Sequence, residues 1–251
     1  MKVKKINTKS IADINKMKEG GNKLAKIKEK LALAVKENAN ASDINNIADS
    51  LISKAGGKPS FKMVSGYHWA TCINVNDGVV HGIPKAEIVF KKGDVVSVDL
   101  GMYYKGFHTD TSFSLGIDLT GKTIAFLDTG RRALKKAIKS ARVGAKVFDI
   151  SREIETEIKK DGYEPIKALV GHGIGKKLHE EPVVYNFGSP HRGQVLRPGL
   201  TIAIEPMTSM GSAQIVQLED ESYATADGSL SAHFEHTIAI TDKGARVLTM
   251  L

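Results

Sequence analysis

The chain has 251 residues, 41% hydrophobic and 25% charged, the balance of a soluble globular protein with enough length to bury a substantial core. Its one cysteine, Cys72, excludes an internal disulfide and favours a reducing compartment, and no apolar run spans a bilayer or forms a secretory leader after the lysines of Met1–Ser10. A cytoplasmic protein is expected, and the net charge of +8 permits contact with RNA or an anionic surface without requiring it.

Ser10 reads as a helix N-cap, followed by apolar residues at near-helical spacing: Ile11, Ile14, Met17, Leu24, Ile27 and Leu31. Gly20-Gly21 is expected to weaken the middle of that helix. Its lysines, among them Lys16, Lys18, Lys23, Lys26, Lys28, Lys30 and Lys36, fit a solvated face first, with electrostatic attraction to a ribosome as the lesser alternative. A second helix should run from Ala41 to the Gly56-Gly57 stop, with residues 61–66 as a connection. Strands are expected at Cys72–Val75 and Val95–Ser114, then helices at Lys122–Arg142 and Val147–Asp161. The last third returns to strands, with turns at Arg197-Pro198-Gly199 and Ala226-Asp227-Gly228. No repeat or low-complexity linker divides the chain, so a single α+β catalytic domain over residues 1–251 is expected, with helices covering a curved antiparallel sheet.

Five side chains stand in unusual local sequences. If Lys105-Gly106 is a two-residue turn, Tyr104 pairs with Phe107, Asp99 falls opposite Ser112 and Asp110 opposite Gly101. Both carboxylates then share a face as diagonal neighbours roughly 7–8 Å apart at Cα, within reach of two cations about 3.5–4 Å apart. Gly101 would leave room for an ion. Alternation with Val96, Val98 and Leu100 also fits an ordinary solvated sheet face.

Three downstream sites change that weighing. His172 lies among glycines in Gly171-His172-Gly173-Ile174-Gly175, which implies backbone in close approach. Glu205 ends an apolar strand before Pro206, and Glu235 sits in a strand-like run, His233–Ile240, opposite the face of His236, Ile238 and Ile240. Four carboxylates and an imidazole suit divalent manganese, iron, cobalt or zinc, and lack the thiolates of structural zinc sites.

These five positions, their order and the words around them resemble the methionine aminopeptidases, in the type I form without an amino-terminal extension. The resemblance covers nearly the whole chain. It includes Asn76–Pro84, the two-aspartate hairpin, Gly171–Gly175, Leu178-His179-Glu180-Glu181-Pro182, the Glu205 strand and Ser229–Thr237. It implies the pita-bread fold and a metal-activated water that removes the initiator methionine from nascent proteins whose second residue is small. Asp99, Asp110, His172, Glu205 and Glu235 would hold two divalent ions, Asp110 and Glu235 bridging them, and Glu205 would also handle the water proton. His81 and His179 would contact substrate, His179 at the scissile carbonyl.

Tyr67 and Cys72 would line the side-chain pocket, although both also read as core. A monovalent cation at Asn76, Gly78 and Ser231 is implied for some members. N-terminal methionyl peptides and nascent chains are the expected partners, with transient ribosome contact, no membrane and a monomeric state. The segment Gly66–Cys72 is about three residues shorter than in relatives, with Trp69 available to fill the space. Leu178 and Glu221 replace aromatic residues, Tyr223 being a substitute, so strict methionine preference is open. His68, His108, His191, His233 and His236 receive no ligand role. An aminopeptidase or dipeptidase acting at proline, and a non-catalytic RNA- or protein-binding relative, are the competing readings; the intact ligand set opposes the last.

Overall fold

The structure is a computed structural model, described here for residues 6–188 and 193–251. Its first half opens with helices α1 (Ile11–Ala34) and α2 (Ala41–Lys54), then strands β1 (Lys58–Pro59), β2 (Thr71–Val75), β3 (Gly78–Val80), β4 (Val95–Tyr104) and β5 (Phe107–Gly116). Helices α3 (Lys122–Ser140) and α4 (Val147–Lys160) follow. Strands β6 (Glu164–Pro165), β7 (Val170–Gly173), β8 (Glu180–Tyr185), β9 (Thr201–Ile204) and β10 (Met207–Ser209) come next. The remaining strands are β11 (Ile215–Gln217), β12 (Tyr223–Thr225), β13 (Ser231–His233), β14 (His236–Thr241) and β15 (Gly244–Val247).

Helix α1 starts where expected because Ser10 and Asp13 form a reciprocal capping box. Two of its features go beyond the spacing. Ile11 is 81% exposed, lying on the first turn before the helix meets the core. The helix also runs unbroken through Gly20-Gly21, since tertiary contact demands the missing side chains: a Cβ on Gly21 would overlap the Leu248 carbonyl, and one on Gly20 would lie 3.1 Å from Tyr104 Cβ. Its lysines are not uniformly solvated. Lys18 donates to the Val247 and Met250 carbonyls, Lys23 to Ala55 O and Lys28 to Thr111 Oγ1, whereas Lys26 and Lys30 are exposed. The expected connection at 61–66 begins with a 3-10 turn at Phe61–Met63.

Every strand pairing is antiparallel. One sheet has the order β1-β4-β2 with β5 on β4, and another the order β15-β14-β9-β7-β8. Each has its own core. Leu24, Leu31, Ile44 and Ile52 of α1 and α2 bury against Ile73, Val96, Val98 and Leu100, while Phe126, Ala133, Ile150 and Ile154 of α3 and α4 bury against Ile202, Ile204, Ile238 and Ile240. Helix pairs thus cover the outer faces, and the inner faces meet at the seam where β5 runs beside β13 and β14. Hydroxyls stitch that seam. Asp110 N–H donates to Thr237 Oγ1 (2.9 Å), the Thr237 hydroxyl to Asp110 O (2.8 Å), and the Thr111 hydroxyl to Glu235 O (2.7 Å).

Candidate active site

The β4–β5 hairpin has the register its turn dictates: Tyr104 opposes Phe107, Asp99 opposes Ser112 and Gly101 opposes Asp110. Lys105 and Gly106 both take positive φ, 49° and 90°, which matches the twist of the strands. Asp99 and Asp110 therefore leave the same face. That face is not a solvated one, because β13 and β14 cover it and bury Ser97, Asp110, Ser112 and Ser114. The space above Gly101 is not an ion's. A Cβ there would lie 2.8 Å from Ser60 Cβ and 3.1 Å from Phe61 Cε1, so glycine admits the chain after β1.

Glu205 and Glu235 arise from matching interruptions in one two-stranded ribbon. Ile204 pairs with His236 and Met207 with His233, and between these pairs Glu205-Pro206 faces Phe234-Glu235. Pro206 cannot donate to the ladder, and Phe234 N–H reaches its carbonyl at 3.2 Å. The expected continuous strand His233–Ile240 is thus two strands, and the break frees Glu235 to face the cavity. Gly171 and Gly173 flank His172 because neighbouring backbone leaves no room for Cβ. Ala203 O would lie 2.6 Å from one on Gly171, and Glu181 O would overlap one on Gly173. His172 pairs its Nδ1 with Gly173 O (2.9 Å), which turns Nε2 to Glu205 Oε1 at 3.5 Å.

All five residues line one cavity of about 990 Å³. Donor atoms of Asp110, His172 and Glu235 lie within 4.8 Å of one another. Burial raises Asp99 to about 6 and holds Asp110, Glu205 and Glu235 well above the ordinary carboxylate range, the neighbouring carboxylates adding to the rise at Asp110 and Glu235. Burial also lowers His172 to about 3, keeping it neutral and able to ligate. Grouping anions out of water is unfavourable unless cations compensate, and the buried Asp99 Oδ1 has no partner. An oxygen-rich set with one imidazole therefore fits divalent metal ions.

His81 and His179 stand on the wall of the same cavity. Their rings are accessible through its mouth yet recessed enough that desolvation lowers both below the ordinary histidine range. His179 lies edge-on to His172, centroids 4.5 Å apart, and His81 takes φ 60°, a strained conformation for a non-glycine residue, beside Tyr223. Tyr67, Trp69, Cys72, Leu178, Glu221 and Tyr223 also line the cavity. Cys72 is there because β2 places it opposite Asp99, and the Tyr67 hydroxyl donates to Thr71 O (2.9 Å). The loop carrying His179 is buckled by a buried ion pair, Lys9 Nζ to Glu180 Oε2 at 2.6 Å, while Lys9 N–H donates to Gly199 O.

The profile of metallopeptidase family M24 matches residues 15–242. The chain belongs to that family, among the methionine aminopeptidases. It is 37% identical to a methionine aminopeptidase of Clostridium perfringens over 241 residues, 95% of this chain and 96% of that one. The crystal structure of a methionine aminopeptidase from Thermotoga maritima superposes with a TM-score of 0.96 at 40% identity, over 98% of this chain and all of that one. A prolidase from Pyrococcus furiosus, 21% identical with a TM-score of 0.78, shares the fold over 97% of this chain and 65% of its own. The M24 pita-bread fold is therefore the architecture built by the two sheets and their helix pairs.

Within this M24 chain the other histidines divide. His108 pairs its Nδ1 with Ser60 Oγ (2.9 Å) under Tyr103, and His236 pairs its Nδ1 with Thr249 Oγ1 (2.9 Å), so both are structural. His68 is exposed, and His191 lies outside the described residues. His233 lines the cavity, a placement the sequence reading does not anticipate; its two-residue spacing from Glu235 is the signal that points to it. Asn76, Gly78 and Ser231 do meet: Ser231 N–H donates to Asn76 O (2.8 Å) and its hydroxyl to Gly78 O (2.5 Å). Among the described residues no helix is long and apolar enough to cross a membrane.

Proposed function

We propose that this chain removes the N-terminal methionine from newly made proteins whose second residue is small, using two divalent ions held by Asp99, Asp110, His172, Glu205 and Glu235. The observation that carries the reading is the convergence of those five side chains in a cavity that also presents His81 and His179. Asp110, His172 and Glu235, whose donor atoms lie within 4.8 Å of one another, would hold metal together, with Asp99 and Glu205 completing the set. When bound, such ions would polarise the substrate carbonyl and lower the pKa of a water toward about 7. Glu205, held protonatable by burial, would take up and return a proton. His179, kept neutral, donates a hydrogen bond to the scissile carbonyl as negative charge grows there, and His81 faces the peptide nitrogen.

Tyr67, Cys72, Trp69 and Tyr223 frame the pocket for the first side chain, and Asn76 O, Gly78 O and Ser231 supply the oxygens for a monovalent ion. A monomer acting in the cytoplasm on chains at the ribosome fits the free Cys72 and the basic balance.

The reading is tested by turnover of Met-Ala-Ser, Leu-Ala-Ser and Ala-Pro-Ala peptides by metal-stripped protein reloaded with manganese, cobalt, iron or zinc. Cleavage confined to the methionyl peptide and abolished by a chelator is expected. Cleavage before proline would favour an aminopeptidase acting at Xaa-Pro bonds, and failure on every peptide a binding protein.

A further inference from the structure

His233 is 1% exposed at the end of β13, and neither of its ring nitrogens has a hydrogen-bond partner in the protein. Its backbone is tightly held: His233 N–H donates to Ser114 Oγ (2.8 Å), the Ser114 hydroxyl donates to His233 O (2.9 Å), and Ser97 Oγ meets Ser114 Oγ at 2.7 Å. Two serines thus fix the backbone of a buried imidazole whose ring makes no hydrogen bond of its own. Such a group calls for an explanation.

The ring faces the active cavity, with Nε2 3.5 Å from Glu205 Oε2. The other oxygen of the same carboxylate lies 3.5 Å from His172 Nε2. Glu205 is therefore flanked by an imidazole on each side. The two are not equivalent: the donor atoms gathered within 4.8 Å of one another belong to Asp110, His172 and Glu235, with His233 outside that group. We propose that His233 is a positioning residue for Glu205, directing Nε2–H at Oε2 so that Oε1 is presented on the His172 side. The gap exceeds a hydrogen bond by roughly 0.3 Å, which a small rotation of either side chain closes. Glu205 needs such help, because it projects from a break in the ribbon and no other hydrogen bond to its carboxylate is seen among the described residues.

The inference rests on the reading of Glu205 as a metal ligand, and the experiment separates the two. Metal-stripped protein is titrated with Mn²⁺ against a chromophoric chelator. His233→Phe, which keeps the ring's bulk and removes the donor, should weaken Mn²⁺ binding about 10–100-fold, and His233→Gln, which restores an N–H donor, should bind close to wild type. Electron spin-echo envelope modulation of the first bound Mn²⁺ should show one imidazole nitrogen in wild type and in His233→Gln.

Wild-type affinity in His233→Phe, or equal loss in His233→Gln, overturns the proposal, as does a second coupled imidazole nitrogen in wild type. If His233→Phe does not fold by circular dichroism, His233→Ala takes its place with the same expected loss. Unchanged affinity in Glu205→Gln would instead defeat the reading of Glu205 as a ligand.

Discussion

His179 lines the same cavity as the carboxylates, edge-on to His172 and lowered in pKa by desolvation and by His81. A neutral donor in that place serves a developing oxyanion without competing for cations. Replacing it with alanine should lower kcat by about 10²–10³-fold, the loss typical of one oxyanion donor. Metal content by mass spectrometry should stay at the wild-type ratio; unchanged turnover at full metal loading would remove the assignment. At this scale the five candidate ligands stood out because each sits in a distinctive local sequence, such as a proline after Glu205, glycines around His172 and a countable turn between Asp99 and Asp110. His233 did not, because Glu205 lies in the break between β9 and β10, far away in the chain, and the two-residue spacing from Glu235 does not say that its nitrogens are unpaired.

The element that positions His179 is a loop between β7 and β8, tied to the start of the chain by Lys9 and Glu180. Both side chains are about 5% exposed, and Lys177 N–H also donates to Glu180 Oε1 (3.1 Å). Removing one member of a buried pair leaves the other charge uncompensated, so Lys9→Met should destabilise the fold by about 3–5 kcal/mol in urea unfolding. Lys9→Met combined with Glu180→Gln should recover part of that loss. Equal stability of the single variant and wild type would show that the pair contributes nothing.

Helix boundaries were legible wherever a cap or stop is local, as at Ser10 and Gly56-Gly57. The continuity of α1 through Gly20-Gly21 was not, since the reason is a carbonyl at Leu248, far along the chain. The same distance hid the ribbon break at Phe234-Glu235, which alternation alone reads as one strand.

Across the whole molecule, buried titratable groups set opposing pH limits. His172 and His236, both lowered to about 3 chiefly by burial, bind protons readily only when unfolded. Their contribution is complete above pH 6.5 and is lost progressively as the solution is acidified toward 3. His236→Gln should flatten that acid limb. The carboxylates act in the other sense. Asp99, raised to about 6, favours folding below its unfolded value near 4, and that advantage disappears as pH rises through 6 and the ionised forms crowd together. The rise in Tm on adding Mn²⁺ to metal-stripped protein should therefore be larger at pH 7.5 than at pH 5. An equal rise at both would contradict the electrostatic account. The fold class was legible from the order of helical and strand-like segments, whereas the seam joining the two sheets depends on hydroxyls of Thr111, Ser114 and Thr237, residues that occur everywhere in strands.

That seam has a temporal consequence. Asp110 leaves the ribosome about 125 residues before Glu235, a delay of roughly 6–25 s at ordinary elongation speeds. Throughout that interval the emerging half carries two aspartates with no opposing wall, so catalytic competence is a property the polypeptide acquires only once its second half has followed the first out of the ribosome.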